Sequence, residues 1–64
     1  MGNWIKAGWI CRTLTETTEG WRSGIHTFST EEEAHEFGQR FVNGIRGRDL
    51  QREYEVYVNW VQRN

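Results

Sequence analysis

The sequence predicts a small α+β domain with three strands and one helix, in the order β-β-α-β. Two stretches of alternating apolar and polar residues, one early and one late in the chain, indicate strands. A capped amphipathic helix is predicted between them. A chain of 64 residues has room for one hydrophobic core. We therefore expect residues 1–64 to form a single domain in which the helix covers one face of an antiparallel or mixed sheet.

The first two strands are expected to form a β-hairpin. Residues 4–14 are rich in aromatic and β-branched side chains, and the polar run 15–20 ends in a glycine, as turns do. The second arm runs from residue 21 to about residue 28. The side chains that we expect on the inner face are Ile5, Ala7, Trp9 and Cys11 of the first strand and Trp21 and Ile25 of the second.

The helix has the strongest local signals in the chain. Ser29 or Thr30 can cap it, since each is followed three residues later by a Glu, and an acidic first turn complements the helix dipole. Its end is expected at Gly44 or Gly47, either of which could take the left-handed conformation that follows many helices. The stripe predicted to pack on the sheet consists of Ala34, Phe37, Gly38, Phe41 and Ile45.

The last strand is predicted over residues 54–61, after a charged connector at 46–53. Its even positions are apolar and its odd positions are half polar, which indicates one buried face. Pairing with either earlier strand is compatible with the pattern. Pairing with the first strand is favoured, by a right-handed crossover if the two strands are parallel.

Composition excludes several classes of protein. An aromatic content of 14% and a formal net charge of −1 argue against a disordered chain. No apolar run is long enough to cross a membrane, and the first residues lack a signal-peptide pattern, so we expect a cytoplasmic protein with no membrane partner. Four Trp and two Tyr must supply much of the core, and we expect two Trp to be buried.

Candidates for catalysis, metal binding or cofactor binding are few. The single Cys11 lies among apolar positions and is interpreted as a small buried hydrophobe. His26 and His35 lack further ligands at metal-binding spacing. The cluster of Glu at the helix start is explained by capping and the dipole. We therefore expect no enzyme activity, no metal and no cofactor.

The sheet face opposite the helix is the candidate binding surface. On the predicted alternation its partner-binding residues are Trp4, Lys6, Arg12, Arg22, His26 and Tyr57, with Ile10 beside them. Basic and aromatic side chains of this kind anchor protein interfaces, although they could also simply cover the open face of the sheet. A shift of the first strand by one residue would instead bury Trp4, Ile10 and Leu14 and expose Trp9.

One segment resembles a known family. Gly20-Trp21-Arg22 followed by the run from Phe28 to Ala34 and by Phe37 resembles the strand-to-helix joint of arm-type DNA-binding domains of phage integrases. It is equally similar to segments of many small phage proteins. The resemblance covers about 18 residues and implies nucleic-acid binding. In contrast to those domains, this chain has a strong strand after the helix and lacks a basic excess.

Two kinds of function are predicted. The first is a non-enzymatic protein-binding module, of the phage-like type that inhibits a larger host protein or complex, acting as a monomer or homodimer. The alternative is nucleic-acid binding through the open face, with Lys6, Arg12 and Arg22 on phosphates and Tyr57 or Trp4 stacking on bases. In a variant of this alternative, the acidic helix start mimics nucleic acid.

Overall fold

The computed structural model describes residues 2–44 and 51–63, and it has the predicted α+β architecture. The elements are β1 (Asn3–Thr17), β2 (Gly20–Phe28), α1 (Glu31–Asn43) and β3 (Arg52–Arg63). The order β-β-α-β is therefore confirmed. Ile45, Gly47 and the connector up to residue 50 lie outside the described residues. The end of the predicted connector, residues 52 and 53, belongs to β3 instead.

All strands of the sheet are antiparallel to their neighbours, in the order β2-β1-β3. The last strand thus pairs with the first, as favoured, but the parallel alternative is wrong. Cys11 at the centre of β1 pairs with His26 on one side and Val56 on the other. β1 is thus both the longest strand and the middle one, and it pairs with both other strands.

The hairpin turn is shorter than predicted. Pairing continues to Thr17 opposite Gly20, so only residues 18 and 19 form the loop. The hydroxyl of Thr17 accepts a hydrogen bond from the backbone N–H of Glu19 at 3.2 Å, which satisfies a donor inside the loop. Gly20 has φ of +117°, a conformation that other residues rarely adopt.

An irregularity in β1 changes which face its first residues occupy. Pairing with β3 shifts register between Lys6 and Gly8, so Ala7 is an extra residue in β1. Gly8 has φ of +139°, and a Cβ there would lie 2.6 Å from the carbonyl oxygen of Phe28. Only glycine fits where the two chain segments approach so closely.

Beyond the bulge, β1 has a partner on one side only. β2 pairs with residues 9–17 of β1, whereas β3 continues along β1 as far as Asn3. Asn3–Ala7 and residues 60–63 of β3 therefore form a two-stranded extension, which we call the ribbon end. The chain leaves β2 at Phe28 and passes into α1, which packs over the middle of the sheet.

The helix begins as the sequence predicts, with Thr30 as the N-cap. The Thr30 hydroxyl accepts a hydrogen bond from the backbone N–H of Glu33 at 3.2 Å and donates to Glu33 Oε1 at 3.0 Å. Three Glu in the first turn lie near the positive end of the dipole. Gly44 follows the last helical residue but has φ of −78°, so the predicted left-handed cap is wrong for this glycine.

The core lies between α1 and the centre of the sheet and is thin. Cys11 and Ala34 are fully buried, and Thr13 nearly so. Gly38 lets the helix rest on the ring of Tyr54, because a Cβ at this position would lie 2.5 Å from Tyr54 Cγ. The predicted stripe is thus confirmed for its described members, with Phe37 and Phe41 half-buried at its edge.

The expectation of two buried Trp residues is wrong. Trp9 is half-buried, and the other three are exposed. The physical reason is that a 13-residue helix covers only the middle of one sheet face, so side chains at the sheet ends and on the other face have nothing above them. The core consists instead of small residues and the half-buried rings around them.

Candidate protein-interaction surface

The sheet face that points away from α1 carries several exposed apolar side chains among polar ones. Its members follow from the register, because residues directly opposite on neighbouring antiparallel strands share a face and successive residues alternate. Cys11 and Thr13 lie under the helix, so their neighbours in sequence lie on the other side. We define the open face by Ile5, Ile10, Leu14, Trp21, Ile25, Tyr57 and Val61.

Several of these side chains are far more exposed than apolar residues usually are. Ile25 is 56% exposed, Trp21 is 50% exposed, and Ile5, Tyr57 and Val61 follow closely. A cluster of exposed apolar side chains on one face of a sheet typically marks an interaction site.

The exposed area of the whole chain agrees with this local observation. The chain exposes 5198 Å², whereas a compact monomer of this size exposes about 4,300 Å². Its radius of gyration is 14.3 Å, against about 11 Å for a compact chain of 64 residues. Both values describe an elongated chain that buries less of its surface than a compact one.

One charged pair lies inside the open face. Arg12 Nη1 is 3.3 Å from Glu55 Oε1, and the two residues are directly opposite on β1 and β3. Both side chains are about half exposed. The guanidinium is therefore neutralised by a carboxylate on the same face. Glu16 and Glu53 also lie on this face, beside Trp21 and Leu14 respectively.

The structure brings together only two of the six predicted binding residues. Arg12 and Tyr57 lie on the open face. Arg22 shares the face of Thr15 and Arg52, on the helix side, and its guanidinium lies 3.7 Å from Glu19 Oε2. His26 is exposed but lies on the helix side, with its ring centroid 4.5 Å from that of Phe37, so its predicted place on the open face is wrong.

The other two predicted residues lie on the helix side of the ribbon end. Trp4 is opposite Gln62, and Lys6 is opposite Trp60. The Nζ of Lys6 lies 4.6 Å from the ring centroid of Trp9, a cation–π contact. Trp4 and Trp60 line a shallow apolar groove. The predicted placement of Trp4 and Lys6 on the open face is thus wrong, because the bulge at Ala7 reverses the alternation of β1.

Sequence reasoning missed the two large exposed apolar residues of β2. Trp21 and Ile25 are more apolar than Arg22 and His26, so the amphipathic pattern favoured them as the inner set. The usable signal was Phe28, which ends β2 shortly before α1 begins and packs on Phe37 with ring centroids 5.2 Å apart. His26 is two residues before Phe28 in the same strand and therefore lies on the same face of the sheet.

Chemically reactive groups are sparse in the part of the chain that the structure describes. Cys11 is a buried free thiol, and desolvation raises its pKa, which favours the unreactive protonated form. Within residues 2–44 and 51–63, no three His, Cys, Asp or Glu side chains are grouped as a metal site would require. Among the same residues, no helix is long and apolar enough to span a membrane.

Comparisons with known proteins identify no relative of this chain. No protein-family model matches it, and neither a curated protein nor a solved structure matches it significantly. The functional inferences below therefore rest on the chain's own residues.

Proposed function

We propose that this chain is a non-enzymatic protein-binding module that binds its partner through the open face. The observation that carries the proposal is the exposed apolar surface centred on Trp21, Ile25 and Tyr57, on the side of the sheet that the helix leaves uncovered. Burial of apolar area drives most protein association, at about 25 cal/mol per Å² before the costs of binding are subtracted.

The residue types on the open face suit a protein partner. Trp, Tyr and Arg are the side chains most enriched at the energetic centres of interfaces. The partner must be apolar where it meets Ile25 and Trp21. It must also provide polar groups for the remaining hydrogen-bonding positions of Arg12 and Glu55, since a pair left unsatisfied in an interface costs affinity.

The alternative of nucleic-acid binding has less support on this face. Phosphate contacts require basic side chains free to neutralise them. Of the three basic residues predicted for this role, Arg12 alone lies on the open face, and it is already paired with Glu55. Inhibition of a larger host protein remains our favoured form of binding, because a domain of 64 residues can act by covering a partner's surface.

A matched pair of charge reversals tests which surface binds. Arg12→Glu alters the open face, and Arg40→Glu alters the outer side of α1. Each removes one exposed Arg–Glu pair, at 3.3 Å and 3.2 Å respectively, and each changes the net charge by the same amount. Exposed pairs contribute about 0–1 kcal/mol, so neither variant should lose its fold.

The assay has two steps. Partners are captured from a lysate of the expressing cell with the wild type and both variants, and a candidate is then purified and titrated against each. We expect Arg12→Glu to weaken binding at least tenfold and Arg40→Glu to leave the dissociation constant within twofold. The reverse pattern would place the partner on the outer side of α1 and would contradict the proposal. Failure to obtain any purified partner that binds the wild type would refute the proposal.

A further inference from the structure

The ribbon end has an open strand edge. Asn3–Ala7 pair with β3 on one side, while on the other side β2 has already ended opposite Trp9. Among the described residues, no strand lies beside this part of β1. Its outward backbone N–H and C=O groups are therefore available to another strand, as at the edge of any sheet.

Both faces of the ribbon end also carry exposed apolar side chains. On the helix side, Trp4 is 64% exposed and Trp60 is 55% exposed. On the opposite side, Ile5 and Val61 are opposite each other and are also exposed. A two-stranded ribbon is only marginally stable alone in water. This one therefore gains from any strand that widens it.

We propose that a second copy of this chain adds its own Asn3–Ala7 to that edge. The two segments would run antiparallel about a two-fold axis at Ile5 and join the two sheets into one six-stranded sheet. The argument for an identical partner is self-complementarity. The shortness of β2 leaves an edge of about five residues beside β1, and residues 3–7 of another copy supply a strand of that length.

The side chains favour this register. With Ile5 opposite its own copy, Lys6 of one protomer is opposite Trp4 of the other, twice by symmetry. A Lys ammonium beside an indole is attractive, and Lys6 already contacts the Trp9 ring in this way. A two-fold axis at Lys6 would instead place two ammonium groups directly opposite each other, which is destabilising.

This dimer uses the Ile5 and Val61 end of the open face and leaves the centre of the proposed binding surface free. Trp21 and Ile25 lie on β2, away from the ribbon end, and stay exposed in each protomer. On the open side, Ile5 and Val61 of both copies would meet in one apolar strip. The inference is thus independent of the protein-binding proposal, and Arg12→Glu should leave the dimer intact.

Site-specific cross-linking tests both the dimer and its register. Opposite residues in an antiparallel pair have Cα atoms about 4.5–5.5 Å apart, within disulfide range. Ile5→Cys should therefore give a covalent dimer with copper–phenanthroline as oxidant. Val61→Cys is the matched control, with similar exposure on the same face. Its copies would lie about three strand spacings apart, roughly 14 Å, which is too far.

Sedimentation equilibrium of the wild type gives a second readout that needs no variant. We expect a reversible dimer between 1 and about 500 µM, and we expect Ile5→Lys to raise its dissociation constant at least tenfold, because two charges would face each other. A wild type that stays monomeric up to 500 µM would overturn the proposal. Cross-linking that is as fast at Val61→Cys as at Ile5→Cys would also overturn it. The same holds for a covalent dimer that forms in the wild type through Cys11.

Discussion

Replacing Gly38 by alanine should destabilise the protein, although the same change usually stabilises a helix. Alanine in a helix interior is favoured over glycine by about 1 kcal/mol. The new Cβ, however, would lie 2.5 Å from Tyr54 Cγ and 2.6 Å from Tyr54 Cε2. Nonbonded carbons prefer about 3.5–4.0 Å, so the methyl group would intrude by about 1 Å.

The ring of Tyr54 has little freedom to move aside. Gln39 Nε2 donates a hydrogen bond to its hydroxyl at 3.0 Å, and the ring of His35 packs edge-on against it with centroids 5.9 Å apart. We therefore take the upper part of the 1–3 kcal/mol range for overpacking, about 3 kcal/mol. After the gain in helix propensity, Gly38→Ala should lower the free energy of unfolding by about 2 kcal/mol.

Urea unfolding followed by tryptophan fluorescence measures this free energy, and thermal unfolding gives an independent value. A loss of about 2 kcal/mol lowers the melting temperature of a domain this small by roughly 8–16 °C. The control is the same substitution in a Tyr54→Ala background, where it should stabilise by up to about 1 kcal/mol because the ring is gone. If Gly38→Ala raises the stability of the otherwise unchanged chain, α1 does not rest on Tyr54, and the reasoning is wrong.

Three further results are expected. Thr30→Ala should cost about 1 kcal/mol of unfolding free energy, because it removes the N-cap hydrogen bond to Glu33, while Ser29→Ala should have almost no effect; equal losses would place the cap elsewhere. The free energy of unfolding should decline above about pH 8.5, because the Cys11 thiol ionises there in the unfolded chain but stays protonated in the fold. Cys11→Ala should flatten that part of the pH profile of stability. Iodide should quench most of the tryptophan fluorescence, and removal of Trp9 by Trp9→Phe should leave the accessible fraction higher still, since the other three indoles are exposed.

Local signals predicted the elements of this fold well. The cap at Thr30 and the alternation of the last strand depend on nearest neighbours in sequence, and both appear as predicted. The antiparallel pairing of β1 with β3 could not be derived, because the alternation of one strand does not indicate the direction of its partner.

The candidate surface was less predictable, since it depends on which side of each strand faces the helix. Strict alternation of side chains along β1 would place Lys6 on the same face as Arg12. The extra residue at Ala7 reverses this alternation, so the two side chains lie on opposite faces. In β2, hydrophobicity favoured burial of Ile25, whereas the single helix packs on the side of His26. A second covering layer would have made the hydrophobic side the inner one. With one helix, the more apolar side of β2 remains outside.

The placement of β1 in the middle of the sheet has a consequence for folding. Cys11 is buried in the centre of the sheet, and its partner Val56 in β3 is far along the chain. Loop closure between such distant segments is slow compared with formation of a hairpin or a helix. During synthesis, the first hairpin and α1 emerge from the ribosome before β3, with their shared apolar side uncovered. We therefore expect the domain to reach its native state only after β3 has been released, and a nascent chain stopped before Arg52 to need protection from aggregation.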